Sequence, residues 1–148
     1  MATGFGFSTG DFIAGINLVR DVIKALQDSK GSSKEYLELV AELRTLETAL
    51  LEVKALDLQI EQRDQRTALH KAVKECQTCI DNFLKDLTKY SRHLRLGGSR
   101  CTWKDAYRKI QWQLCKKDDL VRFRDEIGLH VQSIQVLMLS IQMYFHSR

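Results

Sequence analysis

Apolar residues recur at every third or fourth position along most of this chain, and polar residues occupy the positions between them. Such spacing places the apolar side chains on one face of an α-helix. The pattern is interrupted at residues 28–33 and 55–64, at Gly97 and Gly98, and before Asp118. The sequence therefore predicts an all-α fold, a single bundle of about five helices over residues 10–28, 33–56, 63–95, 101–115 and 118–145.

The third and fifth predicted helices have the most regular apolar faces. In the third, apolar residues follow one another in steps of four and three, at Leu69, Val73, Cys76, Ile80, Phe83, Leu87 and Tyr90. The fifth carries a longer stripe from Leu120 to Phe145, which Leu137 and Tyr144 widen. Because a helix with a wide apolar stripe is surrounded by other helices, we expect the fifth helix to be the most buried element of a four-helix-bundle-like core.

The other predicted elements are less regular. The buried side of the short fourth helix is expected to consist of Trp103, Ala106, Tyr107, Ile110 and Leu114. Residues 1–9 carry no charge and place two phenylalanines among glycines. Since nothing in that pattern predicts a helix or a strand, we expect a flexible segment ahead of the first helix.

Length and composition agree with one globular domain over residues 1–148. Hydrophobic residues make up 44% of the chain and charged residues 28%, and proline is absent, which excludes collagen-like and proline-rich classes. Residues 127–147 contain no Asp, Glu, Lys or Arg, but several glutamines, serines and histidines. We interpret them as a helix buried among other helices and not as a membrane span. Without a secretory signal, the four cysteines are expected to be reduced and the chain cytoplasmic.

No familiar catalytic pattern is present. The sequence lacks the phosphate-binding glycine loops, the serine-hydrolase elbow and the zinc-protease motif. Cys76 and Cys79 are spaced as a C-x-x-C pair, but no second pair completes a zinc site, and Cys76 lies in the apolar face of the third helix. We therefore expect a non-enzymatic protein with no metal, no cofactor and no small-molecule substrate, in which these thiols are core residues.

The charge is unevenly distributed along the chain. Residues 1–60 have a net charge of −3 and residues 61–148 have +7. The basic residues cluster in the middle of the second part, and we expect a surface for anionic lipids there. Duplex DNA should bind only weakly and without sequence preference. The alternative is an ordinary solvated face. The residues of this candidate anionic-surface site are Lys85, Lys89, Arg92, Arg95, Arg100, Lys104, Arg108 and Lys109.

The apolar N-terminus offers a second candidate site. Its large side chains can fasten the first helix to the bundle, or they can leave the bundle and enter a membrane. The candidate membrane-inserting residues are Phe5, Phe7, Phe12, Ile13 and Ile16.

Three segments give the chain a family resemblance. They are GFGFSTGDFIAGINLVRDVIKAL, SSKEYLELVAELRTLETALLEVKAL and WKDAYRKIQWQLCKKDDLVRFRDEIGLHVQSIQVLM. In their order and spacing they resemble the HeLo-like (SesA-type) N-terminal helical domains of fungal STAND proteins, which are NLR-like receptors. The nucleotide-binding module and sensor repeats of those receptors have no counterpart in these 148 residues.

The resemblance implies a signalling or effector domain in regulated cell death, heterokaryon incompatibility or immune-type signalling. In one version the domain is recruited to the plasma membrane on activation and inserts its first helix. In the other it is an adaptor or oligomerisation module, whose partners are other helical domains or a second copy of itself. The resemblance supplies no catalytic residue.

Overall fold

The computed structural model describes residues 9–29, 31–56, 63–90 and 110–146, and these form four α-helices and two short 3₁₀ helices. The α-helices are α1 (Thr9–Asp28), α2 (Lys34–Ala55), α3 (Arg63–Leu87) and α4 (Lys117–His146). The 3₁₀ helices are Thr88–Tyr90 and Trp112–Leu114. No β-strand is formed within these ranges, so the predicted all-helical class is confirmed.

The turn between α1 and α2 is fixed by small polar residues. Ser33 caps α2, because its hydroxyl accepts a 3.3 Å hydrogen bond from the backbone N–H of Tyr36. The Tyr36 hydroxyl bonds to the hydroxyl of Ser29 at the end of α1. A Cβ atom on Gly31 would lie 2.6 Å from the Tyr36 ring, so only glycine fits here. These contacts fold α1 back along α2.

The last helix, α4, lies between α2 and α3. It runs antiparallel to α3, since Phe83 stacks on Phe123 with ring centroids 4.7 Å apart and Cys79 contacts Glu126 further along. It runs parallel to α2, where Arg124 donates to the carboxylate of Glu38. The first helix packs mainly on α2. The four helices surround one continuous apolar core.

The predicted apolar faces form this core. The α3 face is buried from Leu69 to Leu87 as the spacing predicts. On α2 the buried residues recur at three- and four-residue spacing from Tyr36 to Val53. On α4 the buried residues are Leu120, Phe123, Ile127, Val131, Ile134, Met138 and Ile141, which we call the inner seam. Helical periodicity thus identified the inner face of each of these helices.

The prediction of an α-helix over residues 101–115 is wrong for the residues that are described. Residues 101–109 lie outside the described residues, as do Gly97 and Gly98. The described part of the predicted helix, residues 110–115, contains the 3₁₀ helix Trp112–Leu114 instead of an α-helix. The preceding α-helix, α3, ends at Leu87 and not at the predicted residue 95. A 3₁₀ helix has three residues per turn, so it changes which side chains share a face. Leu114 is therefore exposed, whereas Trp112, which the α-helical pattern left outside the core, is buried.

The expectation that the last helix is the most buried is also wrong. Among the described side chains, α3 buries nine residues, whereas the longer α4 buries the seven of its inner seam. The opposite face of α4 carries exposed leucine, valine and methionine side chains. This helix has neighbours on two sides and none of the described helices on its outer side.

The inner seam generates a stability prediction. Ile134 is 0% exposed, so Ile134→Asp buries a carboxylate among apolar side chains, and we expect a loss of about 3–5 kcal/mol in the free energy of unfolding. The control is Gln135→Asp, because its neighbour Gln135 is exposed. Thermal denaturation measures both. Equal midpoints for Ile134→Asp and the parent protein would show that the seam is not the centre of the core.

Candidate interaction surface

Four large apolar side chains are exposed in a row on α4. The exposed fractions are 63% for Leu129, 60% for Val136, 57% for Leu139 and 71% for Met143. Leu129, Val136 and Met143 are seven residues apart and Leu139 follows Val136 by three, so the four lie along one line of the helix. We call these four residues the outer stripe. The stripe faces away from the inner seam.

The α4 residues on either side of the outer stripe are uncharged. From residue 127 to residue 147 the sequence contains no Asp, Glu, Lys or Arg, and the exposed residues beside the stripe are Gln132, Ser133, Gln135, Ser140 and Gln142. Exposed faces of helices in monomeric proteins usually carry charges, as α2 does. Burial inside the bundle, the explanation that the sequence suggested, accounts for the inner seam but not for this face.

A groove runs beside the outer stripe, between α3 and α4. Its volume is about 640 Å³, and its lining includes the small side chains of Ala68, Ala72 and Ser133. Lys71 and Glu75 place opposite charges along its α3 edge. It is lined by Ala68, Lys71, Ala72, Glu75, Leu129, Gln132, Ser133, Val136 and Leu137. The groove is open to solvent and is not an enclosed cavity.

Sequence reasoning did not identify the outer stripe as a site. The available signal was an excess of apolar residues in the last helix. Its inner seam already supplies one apolar residue at each inward position, and Leu129, Val136 and Met143 add a second row that the core cannot accommodate. The outer stripe is thus an additional apolar surface.

Of the candidate membrane-inserting residues, the structure describes the side chains of Ile13 and Ile16. Phe5, Phe7 and the side chain of Phe12 lie outside the described residues. Ile13 is exposed, but Ile16 is buried in the core. Membrane insertion of Ile16 would therefore require α1 to leave α2, and this role stays a prediction. No helix in the described ranges has the length and hydropathy needed to span a bilayer.

Two residues of the candidate anionic-surface site are described, Lys85 and Lys89, and both are exposed. The Lys89 ammonium lies 3.2 Å from the carboxylate of Asp119 on α4, so its charge is partly compensated. Lipid binding by this site stays a prediction. The other six residues, which lie outside the described ranges, are Arg92, Arg95, Arg100, Lys104, Arg108 and Lys109.

Asp119 joins the end of α3 to the start of α4. The Tyr90 hydroxyl donates a 2.6 Å hydrogen bond to its carboxylate and accepts one from the backbone N–H of Lys116. Arg122 contacts the same carboxylate at 3.3 Å. The hydrogen bond from Tyr90, followed by that from Lys89, lowers the pKa of Asp119. This cluster fixes where α4 begins.

The C-x-x-C pair belongs to the core. Burial raises the pKa of Cys76 to about 12, and the pKa of Cys79 to about 12 with a contribution from its 3.5 Å contact to the Glu126 carboxylate. Burial also raises the pKa of Cys115 to about 12. Within the described ranges, no three His, Cys, Asp or Glu side chains are grouped as metal ligands.

The buried thiols generate a reactivity prediction. In a Cys101→Ser background, we expect Cys76, Cys79 and Cys115 to react very slowly with iodoacetamide at pH 8, because the nucleophile is the thiolate. Unfolding in guanidinium should expose all three and speed their alkylation by orders of magnitude, and intact-mass spectrometry counts the labels. Fast labelling of the folded protein would contradict the buried positions.

The Asp119 cluster generates a pH prediction. Because the folded chain lowers the pKa of Asp119, the ionised carboxylate stabilises the fold above about pH 4, and this contribution is lost as the pH falls through the folded pKa. Tyr90→Phe removes the hydrogen bond that contributes most to the lowered pKa of Asp119, so this pKa should rise. The stability difference between variant and parent should shrink at low pH. Carbon-detected NMR titration of Asp119 checks the pKa, and an unchanged pKa in Tyr90→Phe would refute the assignment.

Comparison with known proteins places this helical architecture in a family. A family model described as the N-terminal region of the pigment biosynthesis cluster protein PigL matches residues 12–147. No curated protein and no solved structure matches the chain. The matched range covers α2, α3 and α4 completely and all but the first residues of α1. The chain therefore belongs to the PigL N-terminal family.

Proposed function

We propose that this chain is a non-enzymatic protein-interaction domain that binds a helix on the outer stripe of α4 and in the groove beside it. The observation that carries the proposal is the outer stripe itself, four exposed large apolar residues on a helix face without charges. Contiguous exposed apolar surface in a folded protein is typical of an interaction site. No reacting group is needed for such binding, and the exposed α4 face consists of aliphatic, amide and hydroxyl side chains.

The surface defines the chemistry of its partner. An apolar helix face is recognised by another amphipathic helix whose own apolar residues recur at three- and four-residue spacing. Burying apolar area releases about 25 cal/mol per Å². The glutamines and serines at the edges can form hydrogen bonds at the rim of the interface. A charged residue in the middle of the partner's apolar face would be unfavourable, because it would lose its hydration without gaining an ion-pair partner.

The biological setting that we propose comes from the resemblance to HeLo-like domains, namely regulated cell death or immune-type signalling. Within that setting, the exposed outer stripe and the buried position of Ile16 favour the adaptor or oligomerisation role. Membrane association through α1 stays the alternative proposal. The family is named for the N-terminal region of a pigment biosynthesis cluster protein, and a helical interaction domain suits a terminal region of a larger protein.

The test uses two matched leucines. Leu139 on the outer stripe and Leu37 on α2 are both 57% exposed, so Leu139→Asp and Leu37→Asp make the same chemical change on two different faces. The probe is a fluorescent amphipathic peptide with leucine at three- and four-residue spacing and glutamate and lysine elsewhere. We expect the parent protein to bind it, Leu139→Asp to weaken binding roughly tenfold or more, and Leu37→Asp to leave it unchanged.

A stability control separates binding from folding. Since both leucines are surface residues, each substitution should change the free energy of unfolding by no more than about 0.5 kcal/mol. Fluorescence anisotropy measures the peptide and chemical denaturation measures the stability. Equal peptide binding by Leu139→Asp and the parent, or no binding by the parent at concentrations at which it is monomeric, would show that the outer stripe is not a helix-binding surface.

A further inference from the structure

We infer that the partner of the outer stripe is the α4 helix of a second copy of this chain, packed antiparallel across a two-fold axis beside Val136. The inference rests on the proposed function and names the partner of that surface. Its three supports are the symmetry of the stripe, the small side chains next to it and the arrangement of charges around it.

The stripe is symmetric about its middle residue. Leu129 precedes Val136 by seven positions and Met143 follows it by seven. When two such helices meet antiparallel at Val136, each Leu129 faces Met143 of the other copy, and the same contact is formed twice. A two-fold dimer requires this kind of self-complementary surface. Leu139 then lies across from Gln132 of the second copy, whose methylene groups it can cover.

Small side chains allow the two helices to approach closely. Ser133 lines the groove between α3 and α4 together with Ala68 and Ala72 of α3, and Ser140 lies two turns further along α4. Close approach of two helices depends on ridges of large side chains that fit beside small ones. The α3 side of α4 thus accommodates the larger residues of a second helix.

The charges favour the antiparallel orientation over the parallel one. The uncharged face ends at Asp125, one turn before Leu129, and the Asp125 side chain is exposed. A parallel pair would place Asp125 against Asp125 of the other copy and would bring together both α4 starts, with Lys116 and Lys117. An antiparallel pair separates these like charges and aligns the two helix dipoles in opposite directions, which is favourable.

Site-directed crosslinking tests the orientation. The background is Cys101→Ser, in which the three buried cysteines have raised pKa values and do not compete. Leu129→Cys and Met143→Cys proteins, mixed and treated with a short bismaleimide, should give a crosslinked dimer. Leu129→Cys alone should give little, because its two cysteines would lie about 21 Å apart along the helix axis. Efficient crosslinking of Leu129→Cys alone would indicate a parallel pair and would overturn the inference.

A gain-of-affinity variant tests the contact itself. Gln132→Leu places leucine across from Leu139, and sedimentation equilibrium should show the dimer dissociation constant falling roughly tenfold. Gln27→Leu makes the same change at an exposed position of α1, away from the stripe, and should leave the constant unchanged. Leu139→Asp should give a monomer. Equal effects of Gln132→Leu and Gln27→Leu would refute the contact.

The outcomes distinguish this inference from the proposed function. A parent protein that binds the amphipathic peptide but remains monomeric at every concentration measured would refute the second copy as partner and leave the helix-binding function in place. A parent protein that neither dimerises nor binds the peptide would refute both.

Discussion

The packing of α4 against α2 and α3 at the same time is the interaction on which the rest of this structure depends. Its inner seam is buried from Leu120 to Ile141, and Phe123 stacks on Phe83 at its start. Each fully buried aliphatic side chain contributes about 1.5–3 kcal/mol, whereas an exposed ion pair such as Arg20–Glu47 contributes about 0–1 kcal/mol. The seam therefore decides the rotation of α4 about its own axis.

That rotation also decides which residues are left outside. Once Ile127, Ile134 and Ile141 point inward, helical geometry requires Leu129, Val136 and Met143 to point outward. The hydrogen bond between Tyr90 and Asp119 fixes the start of the helix, so the register cannot slide along α3. The candidate interaction surface is thus a consequence of core packing, although none of its four residues contributes to the core.

The absence of charge over residues 127–147 has two physical explanations that a sequence does not separate. A helix enclosed by its own bundle and a helix with a second binding partner both exclude lysine and glutamate, because either environment removes water from the charged group. The first explanation holds for the inner seam. For the exposed outer stripe we propose the second, so that this helix takes part in one apolar interface within the chain and in a proposed one between chains.

Periodicity by itself determined the all-helical class, the break between α1 and α2, and the inward residues of α3 and α4, because the spacing of apolar residues sets their direction around a single helix axis. The tertiary structure decided that Trp112 is buried and Leu114 exposed, since a 3₁₀ helix replaced the α-helical phase there. It also decided that the outward-pointing Leu129, Val136, Leu139 and Met143 are left exposed. A pattern along the chain gives angles around a helix, but the number of neighbouring helices depends on how the elements pack in space.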